Sequence, residues 1–203
     1  MMVLFLAAAA LGMVPKSIAG MNQVNRSDYP SESLRKHETG LTRAEVVVEP
    51  DGTVLNCTLV GSSGSRMLDR KVCLLAMSRF KFEPAKDESG APITGVGRLG
   101  VNWAINDTSY RYAPWTDMTL SVDQLPDLPK PPLALLRIVI DASGHVESCE
   151  VDNSSGSKQL DRLACTSATA ATVLPVHDAA GTPVRAIRSL VVGYTDGAKR
   201  TPR

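Results

Sequence analysis

The chain is expected to be α+β: two related β-β-α-β units, each laying one helix on a small, mostly antiparallel three-stranded sheet. Three features of its 203 residues carry this expectation. One block of sequence occurs twice. Apolar residues alternate on either side of short turns. In each copy a serine-rich turn opens an amphipathic helical segment.

The duplication comes first. Residues 51–73 read DGTVLNCTLVGSSGSRMLDRKVC, and residues 143–165 read SGHVESCEVDNSSGSKQLDRLAC. At a constant offset of 92, 11 of 23 positions match: Gly52/144, Val54/146, Cys57/149, Ser62/154, Ser63/155, Gly64/156, Ser65/157, Leu68/160, Asp69/161, Arg70/162 and Cys73/165. Tandem copies of one supersecondary unit imply a tandem fold. All 4 cysteines fall in the pattern, two per copy and 16 residues apart. Matched spacing favours disulfides Cys57–Cys73 and Cys149–Cys165 over cross-copy pairing. A zinc tetrathiolate and a redox pair are the other readings. Neither has the C-x-x-C spacing that such sites use.

In the first copy, residues 31–38 (SESLRKHE) predict one or two helical turns, with Ser31 as N-cap and Gly40 as stop. Residues 42–49 alternate, with Ala44, Val46 and Val48 on one face, as in a half-buried strand. Pro50-Asp51-Gly52 turns the chain, and 53–61 return with Leu55, Cys57 and Leu59 inward. Ser62 to Ser65 break the strand and cap a helix over 66–78, striped by Leu68, Val72 and Leu75. Phe80 and Phe82 alternate on an extended piece that Pro84 ends, and Gly90-Ala91-Pro92 loops. Residues 97–105 form the last strand, with Leu99, Val101, Trp103 and Ile105 on one face.

Prolines 114, 126, 129, 131 and 132 make 106–132 an extended connector. The second copy repeats the plan, with strands at 134–141 and 145–153, a helix at 157–170 and a strand at 185–194. Its helix is rich in Ala and Thr, so its core is thinner. The division that follows is 1–19 leader or short anchor, 20–28 lead-in, 29–106 first domain, 107–132 linker, 133–197 second domain and 198–203 tail. Whether the copies share a sheet is not fixed by this pattern.

Residues 1–14 form an uncharged apolar run that Pro15 breaks, with Ser17 and Ala19 suitably small for cleavage before Gly20. That is the shape of a secretory signal; a retained anchor is the alternative, although a spanning helix needs roughly 20 apolar residues. Removing 1–19 leaves acidic and basic residues in balance, at 21 each. Such a surface offers no general attraction to nucleic acid.

No catalytic constellation stands out. His37, His145 and His177 lie in polar or turn sequence, and Ser62-Ser63-Gly64 recurs as a helix-capping turn. Asp69 and Asp161 stand in first helical turns, where the dipole favours a carboxylate. Neither an enzyme activity, a metal nor a cofactor is expected.

One ordered set of motifs resembles the C-terminal domain of the TonB family. The first copy carries Tyr29-Pro30, a short helix ending at Gly40, strand 44–49, Asp51-Gly52-x-Val54, Ser62-Ser63-Gly64, Leu68-Asp69, Arg79-Phe80-x-Phe82-x-Pro84-Ala85 and Gly90-x-Pro92. The second keeps Gly144, Val146, Ser154-Ser155-Gly156, Leu160-Asp161, Pro175 and Gly181-x-Pro183. It lacks Tyr-Pro and the Arg-Phe-x-Phe run, so it looks like a diverged copy.

The resemblance implies helices on a three-stranded sheet that accepts a partner's short segment as an added strand beside its last strand. It makes 97–105 the docking edge, with Leu99, Val101, Asn102, Trp103, Tyr29 and Pro30 as partner-binding residues. It implies an outer-membrane receptor or another envelope protein as partner, and inner-membrane motor proteins if the chain is anchored. The expected location is the periplasm, or alternatively the periplasmic side of the inner membrane. The chain departs from an energy transducer in one respect. About nine residues separate Gly20 from Tyr29, and extended they reach at most about 30 Å. A periplasmic binding protein without its own energy coupling is the favoured reading; an energy-transducing TonB-type protein supporting transport is the alternative.

Overall fold

The computed structural model describes residues 13–18, 24–105, 116–128 and 130–197. The first unit contains α1 (Ser31–Arg35), β1 (Gly40–Val48), β2 (Val54–Gly61), α2 (Arg66–Ser78) and β3 (Gly95–Trp103). A strand in the connector, β4 (Met118–Val122), follows. The second unit contains β5 (Leu133–Ile140), β6 (Val146–Asn153), α3 (Lys158–Thr169) and β7 (Ala186–Asp196).

Alternation builds the first hairpin. Ala44, Val46 and Val48 are fully buried, with Leu59 opposite Ala44 and Cys57 opposite Val46. Leu55 departs from the expected inward position. The register shifts between the pairs Val47–Asn56 and Val48–Val54, so Leu55 is an extra residue and Val54 takes the inner place. A bulge re-aims every side chain beyond it.

The helices begin where the serines predict. Ser65 accepts a hydrogen bond from the Leu68 N–H, and Ser157 does the same for Leu160. Leu68, Val72, Leu75 and Ala76 bury one face of α2, whereas α3 buries the slighter Leu160, Ala164 and Ala168. α1 is shorter than expected. Pro30, not Ser31, stands at its N-cap without a side-chain bond, and Gly40 opens β1 instead of stopping the helix. The chain leaves α1 through His37, at φ 53. Cys57 is bonded to Cys73 and Cys149 to Cys165, with Cα atoms 5.4 and 5.6 Å apart, so each bridge ties a hairpin strand to its own helix.

The two units share one seven-stranded sheet, in the order β6-β5-β7-β3-β1-β2, with β4 beside β7. The joint is parallel, Gly95 opposite Ile187 and Val96 opposite Arg188. It places the helices on opposite faces. Leu99 packs with α2, whereas Val96, which the pleat points the other way, packs with α3. On the α2 face Ile187 and Val139 meet Ala85, Ile93 and Val14. On the α3 face Arg188 pairs with Glu45 at 2.7 Å, and Arg98 lies 3.8 Å from the same carboxylate.

The connector does more than span. β4 runs parallel to β7 from Met118 opposite Val192 to Val122 opposite Asp196, and Met118, Leu120 and Val122 pack on the second core. The lead-in also belongs to the first unit. Its turn Arg26–Asp28 is capped by Asn25, and Val24 packs on the first core. Arg79 grips Asp28 with two nitrogens, at 2.7 and 3.0 Å.

Part of the expected leader is also seated on the sheet. Lys16–Ser17 pair antiparallel with Phe82–Glu83, and Pro15 is buried. Residues 1–12 and the expected cleavage point between Ala19 and Gly20 lie outside the described residues. Among the described residues no helix is long and apolar enough to cross a membrane.

Candidate strand-addition edge

A chain of polar contacts fixes the end of β3. Trp103 is 1% exposed, and its indole N–H donates to Thr42 Oγ1 at 3.1 Å. The Thr42 hydroxyl donates to the Asp69 carboxylate at 2.8 Å. That carboxylate also accepts from the hydroxyls of Ser62 (2.6 Å) and Ser63 (2.8 Å) and from the Ser63 N–H (2.9 Å). Burial alone would raise the pKa of Asp69. The Ser62, Ser63 and Thr42 donors outweigh it and hold the carboxyl below its ordinary value. The Ser-Ser-Gly-Ser and Leu-Asp motifs thus pin the strand end, the turn and the helix together.

The second unit keeps the inner part of this arrangement. Asp161 accepts from the Ser154 and Ser155 hydroxyls at 2.5 and 2.7 Å and from the Ser155 N–H at 2.8 Å. Ala134 stands where the first unit has Thr42. Tyr194 replaces Trp103, and its hydroxyl donates to the Leu160 carbonyl at 2.8 Å. Burial, helped by the Asp161 charge, pushes that phenol up to about 12.

Tyr29 meets Trp103 edge-on, with ring centroids 5.2 Å apart, and its hydroxyl donates to the Glu38 carbonyl. A cleft of about 260 Å³ opens beside this pair, lined also by Val24, Leu34, Asn102 and Ile105. Three of the residues expected to bind a partner, Tyr29, Asn102 and Trp103, therefore meet in one place. Leu99 and Val101 point into the first core, and Pro30 lines a different groove beside α2.

Sequence reasoning treats 97–105 as an open edge, and the structure corrects this. The strand is Gly95–Trp103, which leaves Ile105 beyond its end, and β7 covers its first two residues. The cause is the second unit, which pairs its own last strand there. After Val96 the strands part. Asp117 occupies the fork: its N–H donates to the Val191 carbonyl at 2.8 Å, its carboxylate accepts the Val191 N–H at 2.6 Å, and Arg98 ion-pairs with it. Among the described residues no strand lies beside Gly97–Trp103 on this side.

The same edge of β7 is filled. Val101 stands opposite Thr42, and Val192 opposite Ala134, which is Thr42 shifted by the repeat offset. β4, lying beside Val192–Asp196, therefore takes in the second unit the place next to residues 101–105 in the first. The signal for β4 was the alternation Met118-Leu120-Val122.

A family model described as "Gram-negative bacterial TonB protein C-terminal" matches residues 25–105 and 134–195, well over half of the chain. The chain belongs to the TonB family. Both β-β-α-β units are TonB C-terminal domains, and the first match takes in the lead-in from Asn25. Domains of this family are interaction domains of the Gram-negative envelope that engage proteins such as outer-membrane receptors. A search of curated proteins gives no match. The three histidines are exposed and stand in different places: His37 in the turn after α1, His145 in a β-bridge to Thr172 and His177 in a two-residue strand opposite Pro183.

Proposed function

We propose that this TonB-family chain is a periplasmic binding protein. It takes an extended segment of an envelope partner as an added strand beside residues 97–103, without its own energy coupling. The observation that carries the reading is β4: the chain fills the equivalent edge of its second unit with an extended parallel segment and leaves the first without one among the described residues. An unpaired edge supplies N–H and C=O groups that complete a ladder with any extended backbone, and adjacent pockets choose side chains. Here the pocket is the Tyr29–Trp103 cleft, and exposed Asn102 stands beside it.

An inner-membrane transducer is the competing reading, and the fate of residues 1–19 separates the two. Cleavage after Ala19 and insertion of 1–19 in a membrane would each take Val14 to Ser17 off the sheet that they contact. Intact mass and fractionation of the protein from a Gram-negative host test this. A soluble periplasmic form starting at Gly20 supports the binding-protein reading. An inner-membrane form with residues 1–19 retained would replace it with the transducer.

The edge is tested by Asn102→Cys in intact cells, with a cysteine at exposed Glu83 as control. Disulfide capture of an envelope protein at position 102 alone is expected. Equal capture at both positions would place the partner elsewhere.

A further inference from the structure

The first unit carries a second surface that its fold does not require. Leu59 on β2 and Met67, Leu74 and Met77 on α2 are all exposed, Leu74 and Met77 by 55% each. They line a groove of about 830 Å³ between strand and helix, floored by the Cys57–Cys73 bridge. Clustered exposed apolar side chains of this kind mark interaction sites, and methionine adapts to varied partners.

The second unit serves as an internal control. At the repeat offset, Leu59 becomes Val151, Met67 becomes Gln159, Leu74 becomes Thr166 and Met77 becomes Thr169. The same helix packs on the same hairpin with three of these four positions polar. The apolar side chains are therefore not needed to build the unit.

Charge points to the occupant. Arg66, Arg70 and Lys71 line the groove, and none forms an ion pair among the described residues. The one carboxylate of the lining, Asp69, is consumed by Ser62, Ser63 and Thr42. A second copy would bring the same three cations against these. The surface is concave, which suits a rod better than a bilayer.

The β2 edge itself is poorly suited to an added strand. Asn56 Oδ1 accepts the Cys57 N–H at 2.7 Å, and register shifts interrupt the ladder near both ends of β2.

We propose that the α2–β2 groove of the first unit binds an amphipathic helical segment of a partner protein. The segment would place apolar side chains on Leu59, Leu74 and Met77 and carboxylates against Arg66, Arg70 and Lys71. Such helix-in-groove recognition sets anchors at i, i+4 and i+7. The site is separate from the β3 edge, so either can fail without the other.

The test uses the full chain and a labelled synthetic helix with leucines at i, i+4 and i+7 flanked by glutamates. Its analogue with lysines in place of the glutamates and vesicles of anionic phospholipid are the comparisons. Binding is read by fluorescence anisotropy and vesicle co-sedimentation. The acidic peptide is expected to bind and the lysine analogue not. Leu74→Thr with Met77→Thr, the second unit's own residues at exposed positions, should weaken binding about tenfold or more with an unchanged melting temperature.

A converse variant guards against misfolding. Gln159→Met with Thr166→Leu and Thr169→Met should add a second site. No binding of the acidic peptide, equal binding of both peptides, or binding to vesicles alone would each overturn the proposal.

Discussion

Gly52 and Gly144 occupy matched places in the two turns, at φ +82 and +87. A Cβ there would lie 2.2 Å from the Phe82 carbonyl oxygen in one unit and 2.0 Å from that of Val173 in the other. Conformation and close approach both demand glycine, and the backbone bonds Phe82 N–H to Gly52 O and Val173 N–H to Gly144 O depend on that approach. Gly144→Ala should destabilise the fold by about 1–3 kcal/mol, read as a lower urea midpoint. Thr42→Val leaves the buried Trp103 N–H without its acceptor and should cost about 1–3 kcal/mol by the same measurement. Acid sensitivity has the same local origin. The Arg79 hydrogen bonds hold Asp28 below its ordinary value, and the serine donors overcome burial to do the same for Asp69 and Asp161. A lowered folded pKa gives stability that is complete above the unfolded value, near 3.8, and lost as pH falls through the folded one. Melting temperature should therefore drop steeply below about pH 4, and Asp28→Asn should flatten that drop.

At the scale of elements, the disulfides reinforce two small cores, of which the second has Tyr194 as its buried aromatic among the described residues. Each closes a loop of about 15 residues, worth roughly 3 kcal/mol in the chain-entropy model. Full reduction, checked by thiol assay, should lower the melting temperature of the protein. An unchanged melt would show that the helices do not depend on their staples. β4 stabilises the end of β7, so Leu120→Pro should speed amide exchange across Val192 to Asp196. The elements that sequence revealed are those fixed by neighbours in the chain. The hairpin follows from Ala44, Val46 and Val48, and each helix start from Ser65 or Ser157. The predicted inward set includes Leu55, against the structure, because a period-2 pattern carries no mark of a bulge. The prolines around β4 predict only an extended connector, because the strand that makes β4 a strand lies some 70 residues further on. The cleft residues Tyr29 and Trp103 were reached through family resemblance; their contact and the Thr42–Asp69 relay depend on packing that spacing does not encode.

Over the whole molecule, the joint between the units rests on a short parallel contact backed by Ile187 and by the Glu45 carboxylate, which faces two guanidiniums. Glu45→Ala strands Arg188, whose side chain is less than one-fifth exposed, while Arg98 keeps Asp117, and should cost about 1–2 kcal/mol. Because the loss falls between units, unfolding should split toward two transitions in calorimetry. The parallel joint has a further effect. Repeat arrays grow when the trailing surface of one unit fits the leading surface of the next, so that any number can be stacked. Here like meets like: last strand against last strand, nearly as in a twofold dimer. A pairing of that kind uses the opening residues of β3 against β7, so a third copy of the unit could not repeat it in the same place. Duplication has therefore produced a face-to-face pair and not a growing stack, and the outer margins of its sheet are the hairpin strands β2 and β6.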